Sequence, residues 1–139
     1  MPVFNLTIDD TSPLIQYNGS WGDSSHDDDL WSAYINGTFH ATDVLGASAT
    51  LTFNGSAVYL YGAYRPNHDQ YWATLDGVTT IANGNPNSST NLFNHLMFSA
   101  SNLGPQQHQL ILQNKYQTTG PSWVDVDYIL MTSGDGNPA

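Results

Sequence analysis

Cysteine is absent, so no disulfide staples this chain. A single domain of 139 residues buries roughly two-thirds of its unfolded surface, and no staple is needed. Glutamate is absent too: all twelve acidic residues are Asp, and the only fixed cations are Arg65 and Lys115. Glu, Lys and Arg favour helices, whereas the abundant Asn, Ser, Thr, Gly and Tyr favour turns and strands, so the composition predicts an all-β fold. Two cations against a formal net charge of -10 exclude nucleic acid and anionic membrane surfaces as partners, because phosphate binding draws on clustered Lys and Arg. Neutral hydroxyl-rich ligands and cations remain compatible. No apolar run reaches the length of about 18 residues that a membrane span needs. Met1-Pro2 is not followed by the basic and apolar regions of a signal peptide. The expectation is therefore a mature domain behind an added Met, with any leader or membrane segment of a precursor outside this sequence.

Five sequons are present, at Asn5, Asn18, Asn36, Asn54 and Asn87, and they point to glycosylation and to a secreted or cell-surface location. The clearest periodic stretch is GASATLTFNGSAVYLYG, residues 46–62. Ala47, Ala49, Leu51 and Phe53 alternate with Ser48, Thr50 and Thr52, and the pattern resumes with Val58, Leu60 and Gly62 against Tyr59 and Tyr61. This spacing predicts a β-hairpin turning at Asn54-Gly55 in a type I′ turn, and Asp76-Gly77 predicts a second one between residues 70–75 and 78–81. Shorter strands are predicted over 4–8, 14–17, 38–42 and 108–113, while 92–98 reads equally as strand or helical turn. In 123–131, Val124, Val126, Tyr128 and Leu130 share one face and Trp123, Asp125, Asp127 and Ile129 the other, which assigns Tyr128 to the core. Trp21 is assigned there as well. About eight to ten strands at these spacings predict one antiparallel two-sheet β-sandwich or jelly roll over residues 1–133, followed by a linker from 134 to 139.

In order along the chain, YNGSW, GASATLTFNGSAVYLYG, ATLDG, LF ahead of HQLILQN, and VDVDYI resemble galactose-binding-like jelly rolls, and among these the extracellular domains of fungal cell-surface proteins. The resemblance runs from about Phe4 to Thr132, and each matching piece is a strand or a turn. It implies the galactose-binding-like fold. It also implies kinship with carbohydrate-binding modules, which usually carry a structural calcium and take sugar at a loop apex or on a concave sheet face.

Aromatic residues beside polar loop residues are the candidates for such a ligand, since sugar rings stack their C–H faces on Trp and Tyr while their hydroxyls take hydrogen bonds. Trp31 and Tyr34 close the polar loop 22–32; Tyr64, Arg65 and His68 precede Trp72; Asn114 and Tyr116 open the loop that ends at Trp123. Asp69 is a further polar candidate. In a jelly roll, alternate connections emerge at one end, so these three loops are expected to converge. Asp9, Asp10, Asp125 and Asp127, on the first and last strands, are the candidate calcium ligands. His26-Asp27-Asp28-Asp29 reads as a solvated acidic run.

Two other readings stand beside a non-catalytic glycan-binding domain. One is a structural or adhesive ectodomain that binds protein or itself. The other is a glycan hydrolase using Asp125 and Asp127, whose spacing of about 6.6 Å on a strand lies within the ~6.5–9.5 Å carboxyl separation of inverting glycosidases. Gly22-Asp23-Ser24 is only superficially similar to a lipase nucleophile block, since its His lies too close in sequence and no C-terminal Asp-x-x-His follows.

Overall fold

A computed structural model describes residues 4–23, 31–118 and 120–133; the acidic run 26–29 and the tail after 133 lie outside the described residues. Alternating strands make two antiparallel sheets. In the first, β10 (Gln107–Asn114) lies between β5 (Ser48–Asn54) and β7 (Gln70–Leu75), with β2 (Ile15–Asn18) and β8 (Val78–Asn83) at the edges, giving β2-β5-β10-β7-β8. The second is β1-β12-β6-β9, built from β1 (Phe4–Asp9), β12 (Tyr128–Ser133), β6 (Ala57–Tyr64) and β9 (Leu92–Ala100). A short ribbon, β11-β4-β3, joins β11 (Val124–Val126), β4 (His40–Thr42) and β3 (Gly22–Asp23), and β11 also packs on β6. Two 3-10 turns, η1 (Trp31–Ala33) and η2 (Ile35–Gly37), precede β4.

The core lies between the two sheets. Leu51, Leu110 and Leu112 from one sheet meet Val58, Leu60, Ile129 and Met131 from the other, with Val124 and Val126 beside them. Each fully buried aliphatic side chain here contributes about 1.5–3 kcal/mol relative to its exposed state.

The predicted hairpin over 46–62 is not one. Both strands form, with the expected residues inward, but β5 belongs to the five-stranded sheet and β6 to the four-stranded one. Asn54-Gly55 carries the chain across the core, and neither residue is at positive φ. Gly55 is needed for space instead: a Cβ there would lie 2.5 Å from the Thr132 carbonyl oxygen. Asp76-Gly77, by contrast, is the expected primed turn, with φ values of 50 and 84.

The ambiguous stretch 92–98 is strand, within β9. The single alternation read over 123–131 breaks at Asp127, between β11 and β12, and the phase shifts by one residue. Val124 and Val126 stay inside and Ile129 and Met131 join them, whereas Tyr128 is half-buried and stacked on Tyr61 at 4.6 Å. Tyr128 is therefore not a core residue. Trp21 packs partly buried against the core edge beside Tyr17, donating its indole N–H to the Asn18 carbonyl.

Candidate functional site

Three connections meet at one end of the sandwich. The loop after β6 bridges the strand end before β11 through His68 and Trp123, and the Trp123 N–H bonds the Asn67 carbonyl at 2.9 Å. The loop after β8 joins them: the Arg65 N–H reaches the Gly84 carbonyl, the Asn85 amide reaches the Pro66 carbonyl, and Arg65 Nε donates to Asn91 Oδ1 at 3.0 Å. Asp69, nearly buried, accepts the N–H groups of Gln117 and Thr118 at 2.6 and 3.1 Å, holding the start of the loop after β10. Two of the three loops expected to converge, 65–68 and 116–123, do meet; most of the third, 22–32, lies outside the described residues, and the loop after β8 stands here instead.

Beneath this surface lies a buried polar network. Asp125 is 1% exposed and accepts hydrogen bonds from the Tyr34 hydroxyl at 2.6 Å, the Ala63 N–H at 2.8 Å and His68 Nε2 at 3.0 Å. Arg65 Nη1 donates to the Tyr34 oxygen and its guanidinium stands over Phe93. Burial alone would raise the Asp125 pKa, but His68, Tyr34 and the Ala63 N–H together hold it below the usual carboxylate range. Burial, with Asp125 nearby, drives the Tyr34 phenol well above its ordinary value. The network ties Tyr34 at the N-cap of η2, β6, the His68 loop and β11 into one rigid support.

The sequence candidates separate accordingly. Trp123 is 37% exposed, and Tyr64, Arg65 and Tyr116 are half-buried at the surface. Tyr64 packs edge-on against His95, and Tyr116 lies against Gly120, where a Cβ would collide with its ring. His68 and Asn114 are buried at 3% and 1%, so neither meets a ligand directly. Asn114 is pinned by the carbonyls of Thr42 and Ser122, as expected for a group turned inward where β10 ends. Trp72 faces outward on β7, but the Lys115 ammonium sits over its ring at 4.7 Å. Trp31 opens η1, and its side chain lies outside the described residues, as does that of Asn36. Asn67 and Asn91 were missed in the sequence because isolated loop Asn residues are common; Tyr34, which with Trp31 closes the polar loop in the sequence, is instead buried at 3% against Asp125, a partner 91 residues away that no local pattern signals.

The four acids proposed for calcium do not assemble as ligands. β1 and β12 are adjacent as expected, yet each carboxylate is turned onto protein donors, and of their oxygens only the second of Asp9 is left buried without a partner among the described residues. Asp10 takes Thr38 at 2.6 Å and His40 Nδ1 at 2.7 Å, Asp9 takes Thr11 and Thr38 through one oxygen, and Asp127 takes the Ile35 N–H. Among the described residues, no group of three or more His or Asp side chains is arranged to hold a metal. Burial, reinforced by Asp125, Asp10 and Asp9 against the Ile35 N–H, pushes the Asp127 pKa up to about 7. Asp125 and Asp127, each almost fully buried, also present no open carboxyl pair to a glycosidic bond.

Comparison with solved structures gives the fold. A two-domain esterase (CEX) active on acetylated mannans matches with a TM-score of 0.71 at 12% identity, over 94% of this chain and 36% of that one. The family two carbohydrate esterase from Cellvibrio japonicus matches with a TM-score of 0.61 at 12% identity, over 96% and 35%. The CBM36-1 domain of a multidomain xylanase from the hindgut metagenome of Trinervitermes trinervoides matches with a TM-score of 0.56 at 14% identity, over 96% of this chain and 100% of that domain. The chain thus spans about a third of the length of each esterase and the whole of the CBM36 domain. No protein-family model and no curated sequence matches. Together with the two antiparallel sheets, these likenesses define the fold as an all-β sandwich of jelly-roll type.

Proposed function

We propose that this domain is a non-catalytic glycan-binding module that takes its ligand at the loop end of the sandwich, with Trp123 as the stacking ring. The observation that carries the reading is the placement of an exposed Trp where three loops meet over a rigid polar support. Arg65, Asn67 and Asn91 stand in the same loops to order sugar hydroxyls. The likeness to a CBM36 domain over its full length supports the reading, as does the acetylated-mannan activity of the larger CEX enzyme. A location outside the cell is part of the proposal. Asn5, Asn18, Asn54 and Asn87 are all exposed, as glycan attachment there requires.

Polysaccharide pull-down and a glycan array, run with and without calcium, test this directly. Trp123→Ala is expected to weaken binding by about tenfold or more, the effect of removing a central aromatic anchor. Trp72→Ala should have little effect, because Lys115 already covers that ring. Blank arrays in both buffers, or binding that survives Trp123→Ala and fails in Trp72→Ala, would reject the site.

A further inference from the structure

The two main sheets have four edge strands, β2 and β8 in one and β1 and β9 in the other. An edge exposes a row of backbone donors and acceptors, and folded domains blunt such rows with brevity, bulges, charge or bulk. Three of the four are blunted here. β2 has four residues and ends at the sequon residue Asn18. β1 contains the sequon residue Asn5 and ends on Asp9. β9 slips register against β6 twice and holds Asn94 at a φ of 56. β8 has none of these devices. Its six residues, VTTIAN, pair with β7 in unbroken register and include no charge, proline or sequon, with Val78 71% and Ile81 59% exposed.

The geometry of β8 also specifies how it pairs. Leu75 and Val78 close the two-residue turn, so Val78, Thr80 and Ala82 bond to β7 while Thr79, Ile81 and Asn83 direct their N–H and C=O groups outward. The Asp76 N–H, bonded to the Gln109 carbonyl on the far side of β7, is consistent with the same alternation. A second β8 laid antiparallel with the two-fold axis at Ile81 sets Ile81 against its own copy and Thr79 against Asn83. Trp72 is the cross-strand neighbour of Ile81, so the outer face then carries an unbroken row of Trp72, Ile81, Ile81 and Trp72 across the two copies. Charge favours this edge as well. A chain of net charge -10 repels its copy over most approaches, whereas β8 brings no charged side chain to the axis and the nearby Asp76 is paired with His108.

From this we infer that two copies of the domain associate through β8, joining their five-stranded sheets into one continuous sheet. A single strand on each side buries less than the ~1,000 Å² of a stable interface, so the dimer is weak, with a Kd on the order of 100 μM. It becomes significant where copies are held close together, as by tethering to one surface.

Sedimentation equilibrium from about 10 μM to about 1 mM is the test. A monomer–dimer equilibrium is expected. Ile81→Lys, which opposes two like charges at the axis, and Thr79→Pro, which removes an outward N–H that β7 does not use, should each weaken it by about tenfold or more. Leu96→Lys, on the other sheet, should leave it unchanged, and circular dichroism of all three variants should match the parent. A chain that stays monomeric across the range, a dimer indifferent to both β8 substitutions, or a dimer lost in Leu96→Lys overturns the inference. None of these outcomes depends on glycan binding.

Discussion

His108 shows how one side chain links a turn to the core. It is 2% exposed on β10, and its two ring nitrogens meet Asp76 Oδ2 at 2.6 Å and the Gly104 carbonyl at 2.8 Å. Both partners accept, so the protonated ring, donating from both nitrogens, is the form that satisfies both contacts. The hydrogen bond to Asp76, then that to Gly104, raises the His108 pKa, and the bonds from His108 and the Gln109 N–H lower that of Asp76. The raised His108 value stabilises the fold fully below about pH 6.5, and this contribution is lost as pH rises through the folded value. The lowered Asp76 value stabilises it above about pH 3.9, and is lost as pH falls through the folded value. Thermal melting of the parent and His108→Gln should therefore show a Tm gap that is widest near pH 5–6 and shrinks by pH 9. A gap constant over that range would mean that the ring acts through packing alone. The sequence offered His108 only as the first residue of a predicted strand, 108–113. Its acidic partner lies in a turn 32 residues away, which periodicity does not report.

At the scale of elements, the crossover at Gly55 governs the architecture. Alternation states which side of a strand is buried, and β5 and β6 obey it. It does not say whether the next strand pairs alongside or faces across the core, because both arrangements bury the same residues. The prediction of a hairpin failed at that ambiguity, and Asn54-Gly55, a favoured turn dipeptide, reinforced the error. Gly55→Ala forces a Cβ to within 2.5 Å of the Thr132 carbonyl, a backbone atom that yields only if β12 shifts. A loss of about 1–3 kcal/mol in urea unfolding is expected, against near neutrality for Gly22→Ala, whose Cβ would sit 3.9 Å from the Ala41 carbonyl. Equal effects from both would mean that the crossover has slack. The phase break at Asp127 is of the same kind: this residue separates β11 from β12, and only the neighbouring strands show where one alternation stops and another begins.

At the scale of the whole molecule, charge sets a background against which the contacts work. Two fixed cations cannot neutralise twelve Asp, and several of these acids lie together around Asp127. Raising NaCl from about 10 mM to about 200 mM should screen this repulsion and raise the Tm at pH 7. A Tm that falls or stays flat would show that paired buried carboxylates leave little net repulsion to screen. Composition alone determined that the molecule is built of strands, carries its stability without disulfides and has no basic surface for phosphate, because these properties follow from residue types regardless of their partners. Local periodicity determined which side of each regular strand faces inward. Tertiary structure decided the rest: that β5 and β6 face one another, that His68 and Asn114 support the loop end from within, that Lys115 covers Trp72 while Trp123 stands exposed, and that β8 is the unguarded edge. Each of these depends on contacts between segments distant along the chain. Residue type and spacing restrict such contacts without selecting among them.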